Sequence, residues 1–315
     1  MLPIGLLALL GFGLTAFAID EWWLDDDDDN DDTGDEVQVA PEDPDDTEEA
    51  GPDPTDPRVY LGTDGDDTLT EEEADALPGE INLFEMGDGN DRVDLGPDVG
   101  NTLNGGEGND TLSVENEENL VDGGPGDDVL SAGLGSTIMG GEGDDMIAFD
   151  QQDSVLDGQG EVQGGAGNDT ISISTDIGFN VSANGPVAVS GNEGADTFEV
   201  EIDQVDNDDF YDPRDRVEDP TFISIEDFTP GEDVLTVDVA PLIETSGRDV
   251  TETELTELPG GGYELALTFS TPEGLEPLST TIAINGPSQI TLDDIVIIAP
   301  TAGLGASGDP VIRVT

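Results

Sequence analysis

Seven aspartates in the middle of the chain each end a short glycine-rich motif. Four copies follow the pattern Gly-Gly-x-Gly-x-Asp-x-apolar and begin at Gly105, Gly123, Gly140 and Gly164, and three looser copies begin at Gly62, Gly87 and Gly191. The aspartates that end the motifs are Asp67, Asp91, Asp110, Asp128, Asp145, Asp169 and Asp196. Carboxylates beside glycine-rich turns can offer several oxygen atoms to one hard cation, and the pattern predicts that chemistry.

The residue types favour calcium. Calcium takes about six to eight oxygen ligands in flexible geometry, from carboxylates, backbone carbonyls and water. Glycine permits backbone angles that point consecutive carbonyl groups at one spot, and the aspartate adds the charged ligand. A single Gly-x-Gly-x-Asp segment would be an ordinary turn, whereas seven copies with near-constant central spacing indicate calcium binding. No acidic stretch shows the 12-residue loop of an EF-hand.

Over residues 58–200 the motif resembles the calcium-binding nonapeptide repeat of the RTX family. The resemblance implies a right-handed parallel β-roll, in which the glycine-rich half of each nonapeptide is a turn and the other half a short strand. It also implies several Ca²⁺ ions, each held between two successive turns by aspartate carboxylates and turn carbonyls. The residues so implied are Asp91, Asp110, Asp128, Asp145 and Asp169, the turn glycines Gly106, Gly108, Gly124, Gly126, Gly141, Gly143, Gly165 and Gly167, and, with poorer spacing, Asp67 and Asp196.

The spacing of the aspartates predicts where the turns stack. Successive motif aspartates are separated by 24, 19, 18, 17, 24 and 27 residues, and one coil of two nonapeptides takes about 18. The three central steps therefore place the turns above one another on one edge of the roll, called here the motif edge. Turns of the opposite edge, near Gly100, Gly135 and Gly160, lack the regular aspartate, so we expect few or no ions there. The longer steps predict insertions that bulge from that opposite edge.

Short apolar strands lie between the predicted turns. They contain pairs such as Leu112 with Val114 and Ile147 with Phe149, and we expect period-two spacing to send one residue of each pair inward. Such a core is thin, so calcium should decide whether the coils stack. At calcium about 10 to 100 times Kd, each site would contribute about 1.4 to 2.7 kcal/mol.

The C-terminal third predicts a β cap on the roll. Residues 222–235 resemble the Ile-x-Asp-Phe-x-x-Gly-x-Asp-x-Leu segment that follows the last coil in the RTX family, and residues 280–284 and 290–296 resemble its closing strands. Together with residues 263–269, these apolar strands would cover a coil end that would otherwise invite edge pairing.

The first 57 residues are unlike the rest of the chain. Residues 2–19 carry no charge and are long enough to cross a bilayer as a helix, while a cleaved signal peptide ending in Ala16-Phe17-Ala18 is the alternative. Residues 20–57 hold 19 acidic residues among 38 and predict a disordered, self-repelling linker. The expected organisation is thus an all-β protein with a hydrophobic anchor or signal segment at 1–19, a linker at 20–57, a β-roll at 58–200, a β cap region at 201–299 and a tail at 300–315.

Composition excludes several classes of function. With 77 acidic residues against 6 arginines, the net charge of −71 leaves nothing to neutralise phosphates, so nucleic-acid binding is excluded. The chain has no His and no Cys, which removes Ser-His-Asp triads, His-based zinc sites, catalytic thiols and disulfides. We therefore expect a non-enzymatic calcium-binding protein, extracellular or at the cell surface, that is either exported or tethered to a membrane through residues 1–19. It would act as a structural or adhesion module for an unidentified protein or polysaccharide. An RTX-type secreted enzyme and a polymer- or ice-binding roll are the alternatives.

Overall fold

The fold is built from short strands that alternate along the chain between two β-sheets. The coordinates are a computed structural model, which describes residues 58–77, 81–96, 100–115, 118–133, 135–150, 160–177, 186–204, 221–270, 278–286 and 289–299. All of these lie within the compact unit Ala50–Thr315. The predicted hydrophobic segment 1–19, the linker 20–57 and the tail 300–315 lie outside the described residues.

The described part of the chain contains twenty strands. The eleven-stranded sheet consists, in spatial order, of β1 (Val59–Leu61), β3 (Leu83–Asp88), β5 (Thr102–Glu107), β7 (Leu120–Pro125), β9 (Thr137–Glu142), β11 (Glu161–Ala166), β13 (Val187–Glu193), β15 (Thr221–Ile225), β19 (Leu278–Ile284), β18 (Tyr263–Phe269) and β17 (Val250–Glu257). The nine-stranded sheet consists of β2 (Thr68–Leu69), β4 (Arg92–Leu95), β6 (Thr111–Val114), β8 (Val129–Gly133), β10 (Met146–Asp150), β12 (Thr170–Ile177), β14 (Thr197–Gln204), β16 (Val234–Asp238) and β20 (Ile295–Ile298).

In the roll, each strand pairs in parallel with the strand two places further along the chain, so two consecutive strands make one coil. In the nine-stranded sheet Leu112 stands beside Leu130, and Leu130 beside Ile147, although these residues are 18 and 17 positions apart in the chain. The turns with the glycine motif connect an odd strand to the next even strand. This is the parallel roll that the near-18-residue spacing predicts, with the motif turns on one edge. The extra residues of the long steps fall between an even strand and the next odd one, on the opposite edge.

Alternation along each strand fills the space between the two sheets. In β6, for example, Leu112 and Val114 are fully buried while Thr111 and Ser113 face outward. The expectation that only one residue of each such pair points inward was wrong, because residues two apart share a face of a strand. Both members of the pairs Ile147 with Phe149 and Ile171 with Ile173 are buried as well. One continuous apolar core results, which extends from Leu69 to Ile295.

Helices are few and short in the described ranges. They are α1 (Glu71–Asp75), α2 (Ala240–Ser246) and a single-turn 3-10 helix at Leu292–Asp294. No helix within these ranges has the length and apolar character needed to span a membrane.

The C-terminal third continues both sheets. Strands β15 and β16 extend the parallel order, and β19, β18 and β17 add an antiparallel meander to the eleven-stranded sheet. The last predicted strand starts later than expected, at Ile295. Its first part is the 3-10 turn instead, because the Asp294 carboxylate accepts hydrogen bonds from the backbone N–H and hydroxyl of Thr291, at 2.8 and 2.7 Å.

Candidate calcium sites on the motif edge

The glycines of the motif are required by the stacking of the turns. All eight glycines named as site residues have φ between +102° and +149°, a region that other residues rarely adopt. A β-carbon on Gly124 would overlap the carbonyl of Gly106 in the preceding turn, and one on Gly126 would overlap the carbonyl of Gly108. The same relation holds for Gly106, Gly108, Gly141, Gly143, Gly165 and Gly167. Glycine therefore serves both the backbone angle and the close approach of neighbouring coils.

The motif aspartates form one continuous hydrogen-bonded row, called here the inner ladder. The backbone N–H of each aspartate donates to Oδ1 of the aspartate in the next turn, for example Asp110 to Asp128 and Asp128 to Asp145. These donor–acceptor distances run from 2.7 to 3.0 Å along the whole row. The row comprises Asp67, Asp91, Asp110, Asp128, Asp145, Asp169, Asp196 and, at its C-terminal end, Asp233.

Five carboxylate oxygens in the inner ladder are buried without a hydrogen-bond partner. They are Oδ2 of Asp91, Asp110, Asp128, Asp145 and Asp169, the same five aspartates that the motif spacing ranks first. Burying a polar atom without a partner is costly, and the cost is larger for a charged group. By contrast, Oδ2 of Asp67 accepts a hydrogen bond from the backbone N–H of Thr63 at 2.6 Å. The five central carboxylates thus require a cation or a proton that the chain itself does not supply.

A backbone carbonyl of the next turn lies near four of these oxygens, those of Asp110, Asp128, Asp145 and Asp169. A β-carbon placed on Gly105 would meet both Oδ2 of Asp110 and, at 2.7 Å, the carbonyl oxygen of Gly123. The equivalent space at Gly123 is bounded by Oδ2 of Asp128 and, at 2.6 Å, the carbonyl oxygen of Gly140. The pattern recurs at Gly140 and Gly164, first glycines of their motifs that sequence reasoning did not single out as site residues.

This oxygen-only arrangement fits calcium. A carboxylate oxygen without a donor is repelled by a nearby carbonyl oxygen unless a cation lies near both, and carboxylate and carbonyl oxygens are ligands that calcium prefers. Within the described ranges no group of three or more acidic side chains is placed to hold a metal ion. Aspartates of the inner ladder and carbonyls of the first motif glycines would therefore share the coordination, and the ion would neutralise the stacked carboxylates.

Burial raises the pKa of the ladder carboxyls. It is the main cause of raising the pKa of Asp145 to about 7, with the charges of Asp169 and Asp128 adding to it and the N–H of Asp128 opposing it. Burial likewise raises the pKa of Asp128 and of Asp196 to about 6. The pKa values of Asp91, Asp110 and Asp169 are raised for the same first reason. A row of carboxylates that resists ionisation in this way is ready to exchange protons for a divalent cation.

A second row, the outer ladder, runs beside the inner one and was not found from the sequence. It is formed by the residue just before each motif aspartate, and its side-chain oxygen accepts a hydrogen bond from the N–H of the equivalent residue one turn later. The backbone N–H of Asp144 thus donates to Oδ1 of Asp127 at 3.0 Å, and that of Asp127 donates to Oδ1 of Asn109 at 3.2 Å. Six of the seven motifs have Asn or Asp at this position, and this regularity could have revealed the row from the sequence. The six residues are Asp66, Asn90, Asn109, Asp127, Asp144 and Asn168.

The opposite edge carries an uncharged row in place of aspartates. The N–H of Asn101 donates to the side-chain oxygen of Asn119 at 2.9 Å, and the N–H of Asn119 donates to the hydroxyl of Ser136 at 3.1 Å. All three side chains are buried. Neutral side chains therefore satisfy these two turn amides, and the concentration of ions on the motif edge stays a prediction.

Two aspartates from the predicted cap accept backbone N–H groups of the last motif turn, and one of them ends the inner ladder. Asp233 accepts from the N–H of Asp196 through Oδ1 and from the N–H of Thr229 through Oδ2, at 3.0 and 2.7 Å. Asp227 accepts from the N–H groups of Gly191 and Asn192. Both were assigned to the cap and not to the site, although Gly231-Glu232-Asp233-Val234-Leu235 repeats the Gly-x-Asp-x-apolar end of the motif.

Comparison with known families agrees with this geometry. The model of the RTX calcium-binding nonapeptide repeat matches residues 104–139, 122–156 and 157–172, in four copies. Residues 104–172 of this chain therefore carry RTX calcium-binding repeats, and the stretch includes the turns that end at Asp110, Asp128, Asp145 and Asp169. A search of curated proteins gave no match to the chain.

Proposed function

We propose that this calcium-binding repeat protein is exported or tethered to a membrane, folds on calcium outside the cytosol, and acts there as a structural or adhesion module. The observation that carries the proposal is the row of five buried, unpartnered carboxylate oxygens. A fold that leaves these groups unpaired is weakened until a cation arrives. Extracellular calcium modules bind with Kd of about 10⁻⁴ to 10⁻³ M, so the switch would operate at the calcium level found outside cells.

The proposal contains no catalytic role. Its support is the absence of His and Cys from the sequence and the use of the motif aspartates in a hydrogen-bonded row. An ice-binding role finds little support in the outward row of the nine-stranded sheet, where Thr111 and Thr170 are separated by Val129 and Met146. A uniform threonine row would be needed there.

Circular dichroism of the full chain under a calcium titration tests the proposal. At about 10⁻⁷ M calcium, where cytosolic sensors begin to bind, we expect little β signal. At about 10⁻³ M we expect the β signal of the folded roll, and chelator should reverse it. Magnesium is the control, because it demands near-octahedral geometry and dehydrates reluctantly.

A spectrum that stays unchanged over this calcium range would contradict the proposal. Equal folding by magnesium would contradict the assignment to calcium. Export is tested separately by fractionating the producing cells, where the folded chain should be recovered at the cell surface or in the medium.

A further inference from the structure

A groove of about 470 Å³ crosses the outer face of the nine-stranded sheet, away from the motif edge. Its floor is a row of side chains in register on neighbouring strands, of which Ser131, Ala148 and Ser172 are small. The groove reaches from β8 through β10, β12, β14 and β16 to Ile298 on β20. Six strands at about 4.8 Å spacing make it about 24 Å long, the length of about seven residues of extended chain.

One side of the groove is acidic. Asp150, Glu201 and Asp238 stand in register on β10, β14 and β16, two residues further along their strands than the floor row, and Glu199 lies in the floor itself. Glu199 accepts a hydrogen bond from the Ser172 hydroxyl at 3.1 Å, and Asp238 accepts one from the N–H of Ala240 at 2.8 Å. None of the residues that line the described groove is cationic.

Exposed apolar side chains flank the groove at both ends. Met146 and Val129 stand beside the groove, two positions before Ala148 and Ser131, and are 57% and 43% exposed, and the same row continues with Thr170 and Thr197. Ile298, which lines the far end, is 43% exposed. The floor is open from β8 to β12 because Ser131, Ala148 and Ser172 are small. A ligand here would meet carboxylates along one side and, beside β8 and β10 on the other, the aliphatic side chains of Val129 and Met146.

The carboxylates are spread along the groove, which suits a linear cation better than a single ion. Glu201 and Asp238 stand on neighbouring strands about 4.8 Å apart, and Asp150 stands two strands before Glu201 in the same row. No group of three or more acids in the described ranges is placed to hold one metal ion. The net charge of −71 draws cations towards the whole molecule, and a groove lined by carboxylates concentrates them.

We propose that this groove binds an extended peptide segment of a partner protein in which basic and aliphatic side chains alternate. Guanidinium or ammonium groups would pair with Glu199, Glu201 and Asp238, and the aliphatic side chains would contact Met146 and Val129. The inference rests on the proposed function, since the groove exists only in the folded roll, and it names the partner chemistry of an adhesion module.

The test is fluorescence anisotropy of a labelled octapeptide of alternating Arg and Val, titrated with the full chain at millimolar calcium. We expect saturable binding that E199Q/E201Q weakens at least ten-fold. The matched control is E252Q/E254Q, which removes the same two charges at the same spacing from the exposed strand β17 and should change affinity less than two-fold. Ala148→Tyr, which fills the floor without changing charge, should also weaken binding at least ten-fold.

Each of three other outcomes would overturn the proposal. Equal weakening by both glutamate pairs would indicate general charge attraction, and unaffected binding by Ala148→Tyr would place the peptide elsewhere. Binding that appears only in R214Q/R216Q would show that the chain's own arginines fill the groove. Circular dichroism of every variant separates the two proposals: a chain that fails to fold with calcium contradicts the proposed function, whereas a folded chain that does not bind contradicts only the groove.

Discussion

Each central aspartate of the inner ladder uses its two carboxylate oxygens differently. Oδ1 of Asp128 accepts the N–H of Asp110 and fixes the spacing of two turns, while Oδ2 is buried and has no donor. An asparagine side chain could still accept the hydrogen bond made by Oδ1, but the buried Oδ2 needs a cation beside it. Structural and ion-binding roles of one side chain can therefore be separated by substitution.

Asp128→Asn should separate them. The amide oxygen can still accept from Asp110, so the turn spacing survives, but the charge needed by the sites on either side is lost. We expect the calcium midpoint of folding, measured by circular dichroism, to rise at least five-fold. Each site lost removes about 2.7 kcal/mol of stabilisation at calcium 100 times Kd.

Asp67→Asn is the matched control for Asp128→Asn. Oδ2 of Asp67 already accepts from Thr63, so the same loss of charge should shift the midpoint less than two-fold. Equal midpoints for the two variants would contradict the assignment of the central oxygens to calcium.

At the scale of the element, the motif turn is a strand connection that must nest against its neighbours. Gly124 combines a φ of +102° with direct contact to the Gly106 carbonyl. The hairpin between β17 and β18 contains Gly261 at a similar φ of +92°, with no atom within 4 Å of the position where its β-carbon would lie. The two glycines differ in crowding and not in backbone angle.

Gly124→Ala and Gly261→Ala should therefore have different costs. Gly261→Ala should lower the free energy of unfolding by about 1 to 2 kcal/mol, the cost of a left-handed backbone for a residue with a β-carbon. Gly124→Ala adds a clash with the Gly106 carbonyl of the preceding coil, so we expect its calcium midpoint to rise at least ten-fold. Urea unfolding at saturating calcium and the calcium titration together measure both effects. Similar losses in the two variants would mean that coil contact is not what the motif glycines provide.

A structural feature could be predicted from the sequence when its geometry allows only one or two residue types at a position. Glycine at positive φ and aspartate at a fixed spacing leave few alternatives, so the motif turns and the parallel coils were predictable. The outer ladder accepts either Asn or Asp, and the opposite edge uses Asn119 and Ser136 interchangeably as acceptors. Rows that tolerate several residue types leave a weaker pattern. Asp233 was missed for another reason, since it joins the inner ladder from 37 residues beyond Asp196.

For the whole molecule, the central question is how a chain of net charge −71 becomes compact. Stacking brings carboxylates of successive coils together, and desolvation penalises each charge further. Calcium can offset this on the inner ladder, and protons can do so as well. Calcium and protons should therefore be alternative stabilisers of the same fold.

Calcium-free stability should fall as pH rises from about 4 to about 7. The folded-state pKa values of Asp128, Asp145 and Asp196 lie above the ordinary value of 3.8, at about 6, 7 and 6. The folded chain thus binds more protons than the unfolded chain in this window, and the stability they give is fully present below pH 3.8 and lost as pH rises through these values. The β circular dichroism of the calcium-free chain, recorded between pH 4 and pH 8, measures this as the folded fraction.

Saturating calcium should remove this pH dependence, because the ion takes the place of the protons. Protons compete for the same oxygens, so the Kd of the folded chain for calcium should rise as pH falls below about 7, while the calcium needed for half-folding should fall because protons already stabilise the fold. A calcium-free chain that is more stable at pH 8 than at pH 4 would contradict the link between the buried carboxylates and folding.

The two ladders on the motif edge point their donors in opposite directions along the chain, the inner one towards the C terminus and the outer one towards the N terminus. Each motif turn is therefore hydrogen-bonded to both neighbouring turns, and only another motif turn can replace it. This restricts which insertions and deletions the gene can tolerate. Asp110 and Asp128 are 18 residues apart, so a gene that gains or loses about 18 codons at this point keeps both rows intact. A change of about nine codons would set an opposite-edge side chain against an aspartate. The length of such a protein can thus evolve readily, but in steps of one whole coil.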